Sequence, residues 1–111
     1  MTDKIVVLSA CDSEQEAARL ARHLVEQRLA ACVNILPGAR SIYRWRDEIE
    51  GAAEWLVVIK SRRDRFSALS AEIAKLHSYE VPEMVALPVV DGSEAYLDWL
   101  DRELGPKSDS P

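Results

Sequence analysis

The chain has 111 residues, of which 48% are apolar and 30% charged, ordinary values for a single domain with one core. Fourteen Lys and Arg against nineteen Asp and Glu leave a net charge of −5, the wrong sign for a nucleic-acid-wrapping surface. No apolar run approaches the roughly 18 residues that cross a bilayer, and two cysteines are too few for a disulfide scaffold.

KIVVLSAC, residues 4–11, is a short β-branched run and predicts a first strand; the acid at position 3 (Asp3) and the shortness of this run are unlike a signal peptide, and the expected compartment is the cytoplasm. Ser13 and Glu16 then stand at capping-box spacing. Ala17, Leu20, Ala21, Leu24 and Val25 recur at helical period and define a buried face, with His23 beside it in solvent.

Two β-rich arms follow, flanking DEIEG, and predict a long hairpin. Pro37-Gly38 interrupts the first arm and marks a bulge or bend, because proline has no amide for the ladder. Beyond it Ser41, Tyr43 and Trp45 share one face, while Ile42, Arg44 and Arg46 share the other. Such an arm outreaches a small core, so its aromatics are expected at an interface with another molecule. Glu54 and Lys60 lie six apart on the second arm, on one face, too distant for a direct pair but placed to meet charges across a subunit boundary. KSRRDR, residues 60–65, reads as a solvated strand-to-helix junction, with Asp64 capping a second helix whose inner face is Phe66, Leu69, Ile73 and Leu76. That helix ends at His77, and Pro82 prevents its resumption. Residues 84–90 predict a fourth strand, with Pro88 arguing for an edge, an end or a bulge. Ser93 caps a last helix that Gly105-Pro106 stops; residues 1–105 form one domain, and 106–111 read as a disordered polar tail.

The order β-α-β-β-α-β plus a terminal helix is the α+β, ferredoxin-like pattern. Four antiparallel strands with both helices on one side leave the other sheet face bare, which makes self-association the expectation. An RNA partner is excluded, because the first strand of this arrangement carries no aromatic for base stacking. Cys32 reads as a packed core thiol and Cys11, at a strand end, as a reachable one. His77 is open to three readings from the residues alone: a helix terminus whose imidazole caps a free carbonyl, a metal ligand, or a catalytic base.

ACVNILPG (31–38), YRW (43–45), Glu54 and Lys60 within EWLVVIK, HSYEVPE (77–83) and YLDW (96–99) together resemble the CutA divalent-cation tolerance family. The resemblance implies a homotrimer with the hairpin reaching toward a neighbour, no established reaction, and binding of copper or another divalent ion; no organic cofactor and no membrane or nucleic-acid partner is expected. The metal candidates on this basis are His77, Cys11 and Glu80, and the interface or cleft candidates Tyr43, Trp45, Glu54 and Lys60. Ser9 stands where some bacterial members carry a cysteine, and Leu76 where some carry a second histidine. The alternative is a trimeric small-molecule sensor or scaffold like the PII proteins, without a physiological metal. The chain has no glycine-rich phosphate loop, which argues against nucleotide as that ligand.

Overall fold

The computed structural model describes residues 1–108. Its elements are β1 (Lys4–Cys11), α1 (Glu14–Glu26), β2 (Cys32–Trp45), β3 (Glu48–Arg62), a 3₁₀ turn (Arg63–Arg65), α2 (Phe66–Leu76), β4 (Val85–Pro88) and α3 (Glu94–Leu104). The sheet is antiparallel in the order β2-β3-β1-β4, the mixed α+β arrangement expected from the element order.

Alternation along the strands decides where the core lies. Ile5, Val7 and Cys11 of β1 stand on the same face as Val57 and Ile59 of β3, and α1 and α2 cover them with Ala17, Leu20, Leu24, Leu69 and Ile73. The opposite face carries Val6, Leu8, Leu56 and Val58 half-buried, with Leu36, Val85 and Leu87 exposed at its flanks. Among the described residues no helix or strand covers that apolar stripe. α3 sits at one end of the sheet, where Leu100 and Leu104 pack on Ala31.

The β2–β3 hairpin draws the molecule out to 43 × 25 × 25 Å. Its ladder slips by one residue between Leu36 and Ala39, with Gly38 at φ 84°. This is the bulge expected at Pro37-Gly38, and it has a consequence for sidedness. Leu36 opposes Leu56 before the slip and Ala39 opposes Glu54 after it, so the outward-facing positions of β2 change from even to odd numbers. Tyr43 and Trp45 therefore continue the bare face. Without the extra residue they would point the other way.

Several expectations need correction. The hairpin turns at Arg46 and Asp47, both with positive φ (51° and 66°), and not over DEIEG, most of which belongs to β3. α2 starts at Phe66 after the 3₁₀ turn; Asp64 caps nothing, because its carboxylate is held by the Arg62 guanidinium at 2.7 and 3.2 Å. Val25 and Leu76 are exposed, as each helix presents a narrower face than its periodicity suggests. Cys32 lies on an edge strand, half-buried on the bare face, and His23 reaches Glu72 across the helix pair at 3.3 Å. Of the stretch read as a tail, Pro106 accepts from Arg65, Lys107 pairs with Asp3 at 3.0 Å and the Ser108 amide donates to Asp64 at 2.7 Å. Residues 109–111 lie outside the described residues.

Candidate functional site

The end of β1, the start of α1 and the end of α2 meet at one place. Ser13 caps α1, its oxygen accepting from the Glu16 amide at 3.1 Å. The Glu16 side chain turns across to the other helix, where one carboxylate oxygen accepts from both the amide and the hydroxyl of Ser78 at 3.1 Å. Half of the capping box is thus replaced by a tie between helices. His77 closes α2 with extended backbone, and its amide reaches the Ile73 carbonyl at 2.9 Å.

The imidazole of His77 is fully buried and its orientation is dictated by backbone groups. The Tyr79 amide donates to Nδ1 at 3.0 Å, which leaves Nε2 to carry the proton and donate to the Ala10 carbonyl at 2.7 Å. The Cys11 sulfur lies 3.7 Å from Nε2, and a Glu16 oxygen lies 3.3 Å from Nδ1. Cys11 is not the reachable thiol that its position suggested: it is completely buried. Burial, reinforced by the negative charges of Glu16, Asp12 and Glu54, pushes its thiol up to about 11, so it is protonated at neutral pH.

The donor atoms of Cys11, Glu16 and His77 all fall within 4.8 Å of one another. In kind they suit a borderline ion such as zinc or copper, which accepts thiolate, imidazole and carboxylate. Coordination through Nε2 would replace its hydrogen bond to Ala10, and the thiol would have to release its proton. Glu80, expected as a ligand, is elsewhere: it is exposed and bonds Arg46 at 3.1 Å. Glu16 was hidden from sequence reasoning by its role at the helix start. Its partners are 61 and 62 residues away, a distance no local signal bridges.

Tyr79 joins the cluster to an open cleft of about 590 Å³. Its ring lies 4.7 Å from the His77 ring, and its hydroxyl donates to Glu54 at 2.7 Å. Burial and that hydrogen bond to a carboxylate raise the Tyr79 hydroxyl far above its ordinary range. Tyr43, Trp45 and Glu54 line this cleft. Lys60 does not; it sits on the bare sheet face, donating to Asn34 at 2.7 Å.

The sequence and the fold have counterparts in known proteins. A family model described as CutA1 divalent ion tolerance protein matches residues 5–103. The divalent-cation tolerance protein CutA of Thermus thermophilus is 48% identical over 100 residues, covering 90% of this chain and 97% of that protein. The chloroplastic protein CutA of Arabidopsis thaliana is 40% identical over 96 residues, 86% of this chain and 53% of the plant protein, so the chain spans about half of that relative's length. Among solved structures, the crystal structure of CutA from Xylella fastidiosa superposes with a TM-score of 0.91 at 38% identity, over 94% of this chain and 100% of that one. The chain belongs to the CutA1 divalent-ion tolerance family.

Proposed function

We propose that this chain is a homotrimeric, cytoplasmic binder of divalent metal ions, without catalytic turnover, whose ion is held by Cys11, Glu16 and His77. The observation that carries the reading is the convergence of a thiol, a carboxylate and an imidazole within 4.8 Å in a buried pocket. Family membership supports metal as the relevant ligand. Zinc and copper fit this donor set better than magnesium or calcium, which favour oxygen alone. The uncovered apolar stripe of Val6, Leu8, Leu56 and Val58 supports self-association, because it would otherwise remain in water. The free thiols of Cys11 and Cys32 are compatible with a reducing compartment.

Native mass spectrometry of metal-stripped protein under reducing conditions tests both halves of the proposal. Zn(II), Cu(II) and Cu(I) are titrated into the wild type, Cys11→Ser and His77→Ala. The expected result is a trimer that takes up a fixed number of ions in the wild type and loses that stoichiometry in both variants. Unsaturable adducts that are equal in all three proteins would reject the metal site, and a monomer at micromolar concentration would reject the assembly.

A further inference from the structure

The connection between α2 and β4 is held by side chains rather than by a backbone ladder. Residues 78–83 contribute no backbone–backbone hydrogen bond among the described residues. Ser78 is tied to Glu16, and Glu80 meets Arg46 at the exposed rim. Between them Tyr79 is held at both ends. Its amide donates to His77 Nδ1 at 3.0 Å, its ring lies 4.7 Å from the imidazole, and its hydroxyl donates to Glu54 of β3 at 2.7 Å. A stretch with so few ties opens at lower cost than a helix or a strand of the core.

What Tyr79 covers decides what that opening can do. In the tautomer set by the Tyr79 amide and the Ala10 carbonyl, Nε2 carries the proton and Nδ1 offers the lone pair. Nδ1 is therefore the nitrogen already able to take an ion, while the Ala10 carbonyl goes on holding Nε2–H, as backbone carbonyls do for metal-bound imidazoles. Nδ1 and the nearer Glu16 oxygen stand 3.3 Å apart, two lone-pair atoms with no proton between them in this tautomer. Two such ligands at ~2.1 Å on one tetrahedral ion would be about 3.4 Å apart, so the pair is spaced to share a cation. The Tyr79 amide occupies the lone pair that this cation would need.

On the metal reading proposed above, we infer that Tyr79 is a latch over the ion site: Nδ1 becomes available only when the Tyr79 amide lets go, and the hydroxyl bond to Glu54 sets how readily it does. His77 keeps its tautomer and its bond to Ala10 throughout, Glu16 stays fixed by Ser78, and the hinge lies between Ser78 and Tyr79. The apparent affinity is the intrinsic one reduced to the fraction of molecules that are unlatched. Weakening the latch should therefore tighten ion binding, the opposite of what damage to the site would do.

Zinc binding to metal-stripped wild type, Tyr79→Phe and Glu54→Gln is measured by competition with a chelating dye, with Tyr96→Phe on α3 as a control hydroxyl. Tyr79→Phe keeps the amide and the ring but loses the tie to Glu54; its affinity should rise about fivefold, the low end of couplings between linked sites. Glu54→Gln weakens the same bond from its other end and should move the same way, while Tyr96→Phe should match the wild type. Hydrogen exchange at the residue-79 amide should quicken about tenfold or more once zinc is bound, because its acceptor is then taken. Proton–nitrogen correlation spectra of the histidines should show His77 carrying its proton on Nε2 both without zinc and with it. The latch is overturned, with the metal site left standing, if zinc binds but both variants bind it no more tightly than the wild type. A residue-79 amide as protected with zinc as without it, or a zinc-bound ring carrying its proton on Nδ1, overturns it equally. No zinc uptake by the wild type overturns latch and metal site together. If neither variant folds, the exchange and ring-proton readings on the wild type decide alone.

Discussion

Ser9 is wholly buried in β1, and its hydroxyl has no hydrogen-bond partner among the described residues. It stands on the core face opposite Val57, two positions from Cys11. A buried hydroxyl without a partner costs more than the small void left by removing it, so Ser9→Ala should raise stability by about 1 kcal/mol, read as a higher urea midpoint at unchanged slope. An unchanged or lower midpoint would mean that the hydroxyl is satisfied in solution. His77 is the opposite case, a polar side chain in the interior with both nitrogens engaged by backbone groups. From the sequence, its place at the end of a helix was legible and its partners were not. The tautomer depends on the Tyr79 amide, two residues on, and on the Ala10 carbonyl, 67 residues back. The thiol misled for a related reason: a strand end is usually open, yet here α2's terminus closes over it.

At the scale of elements, the hairpin was readable in outline and misread at its tip. Polar DEIEG looked like a loop, but the two residues before EIEG adopt positive φ and make the tight turn, which leaves those polar residues in a strand whose sides face water. Neither Arg46 nor Asp47 is the preferred residue for this geometry. Asp47→Gly should therefore stabilise the turn, by about 0.5–1 kcal/mol, where relief of left-handed backbone strain outweighs the added freedom of the unfolded chain. Chemical denaturation of the variant checks this, and a loss of stability would show that the Asp47 side chain contributes something its backbone angle conceals. The bulge was legible because proline and glycine announce it. Its effect on sidedness was not, since that depends on how many residues the slip adds.

The whole molecule is closed at one end by charges. Arg62, 1% exposed, bonds Asp64 and Asp101; Lys4 bonds Asp3 and Asp101; and Lys107 reaches Asp3. Burial alone would raise these three carboxyls, but the hydrogen bonds from Arg62, Lys4 and Lys107 outweigh it, and all three are lowered, Asp3 from 3.8 to about 2. A carboxyl lowered in the folded state stabilises it fully above the unfolded value, and that contribution is lost as pH falls through the folded one. The melting temperature should thus be level above about pH 4 and drop between pH 4 and 2 as the knot protonates, a window set by the two values for Asp3. The drop should be smaller in Asp101→Asn, which has one fewer such carboxyl to titrate; an identical profile would place the acid sensitivity elsewhere. The element order and the bare face followed from the sequence, because alternation and helical period report on layers. The knot did not, since it gathers residues from both ends of the chain.

The parity switch in β2 constrains how the length of this hairpin can vary. One residue added to each arm beyond the bulge turns the tip's side chains over, moving whatever lies at its end to the opposite side, and changes the pair that closes the turn between the hydrogen-bonded and the non-hydrogen-bonded kind. Two residues added to each arm lengthen the reach and preserve its orientation. The hairpin is in effect a ratchet: viable lengths should differ in steps of two residues per arm, unless a second bulge arises to restore the side that the first one chose.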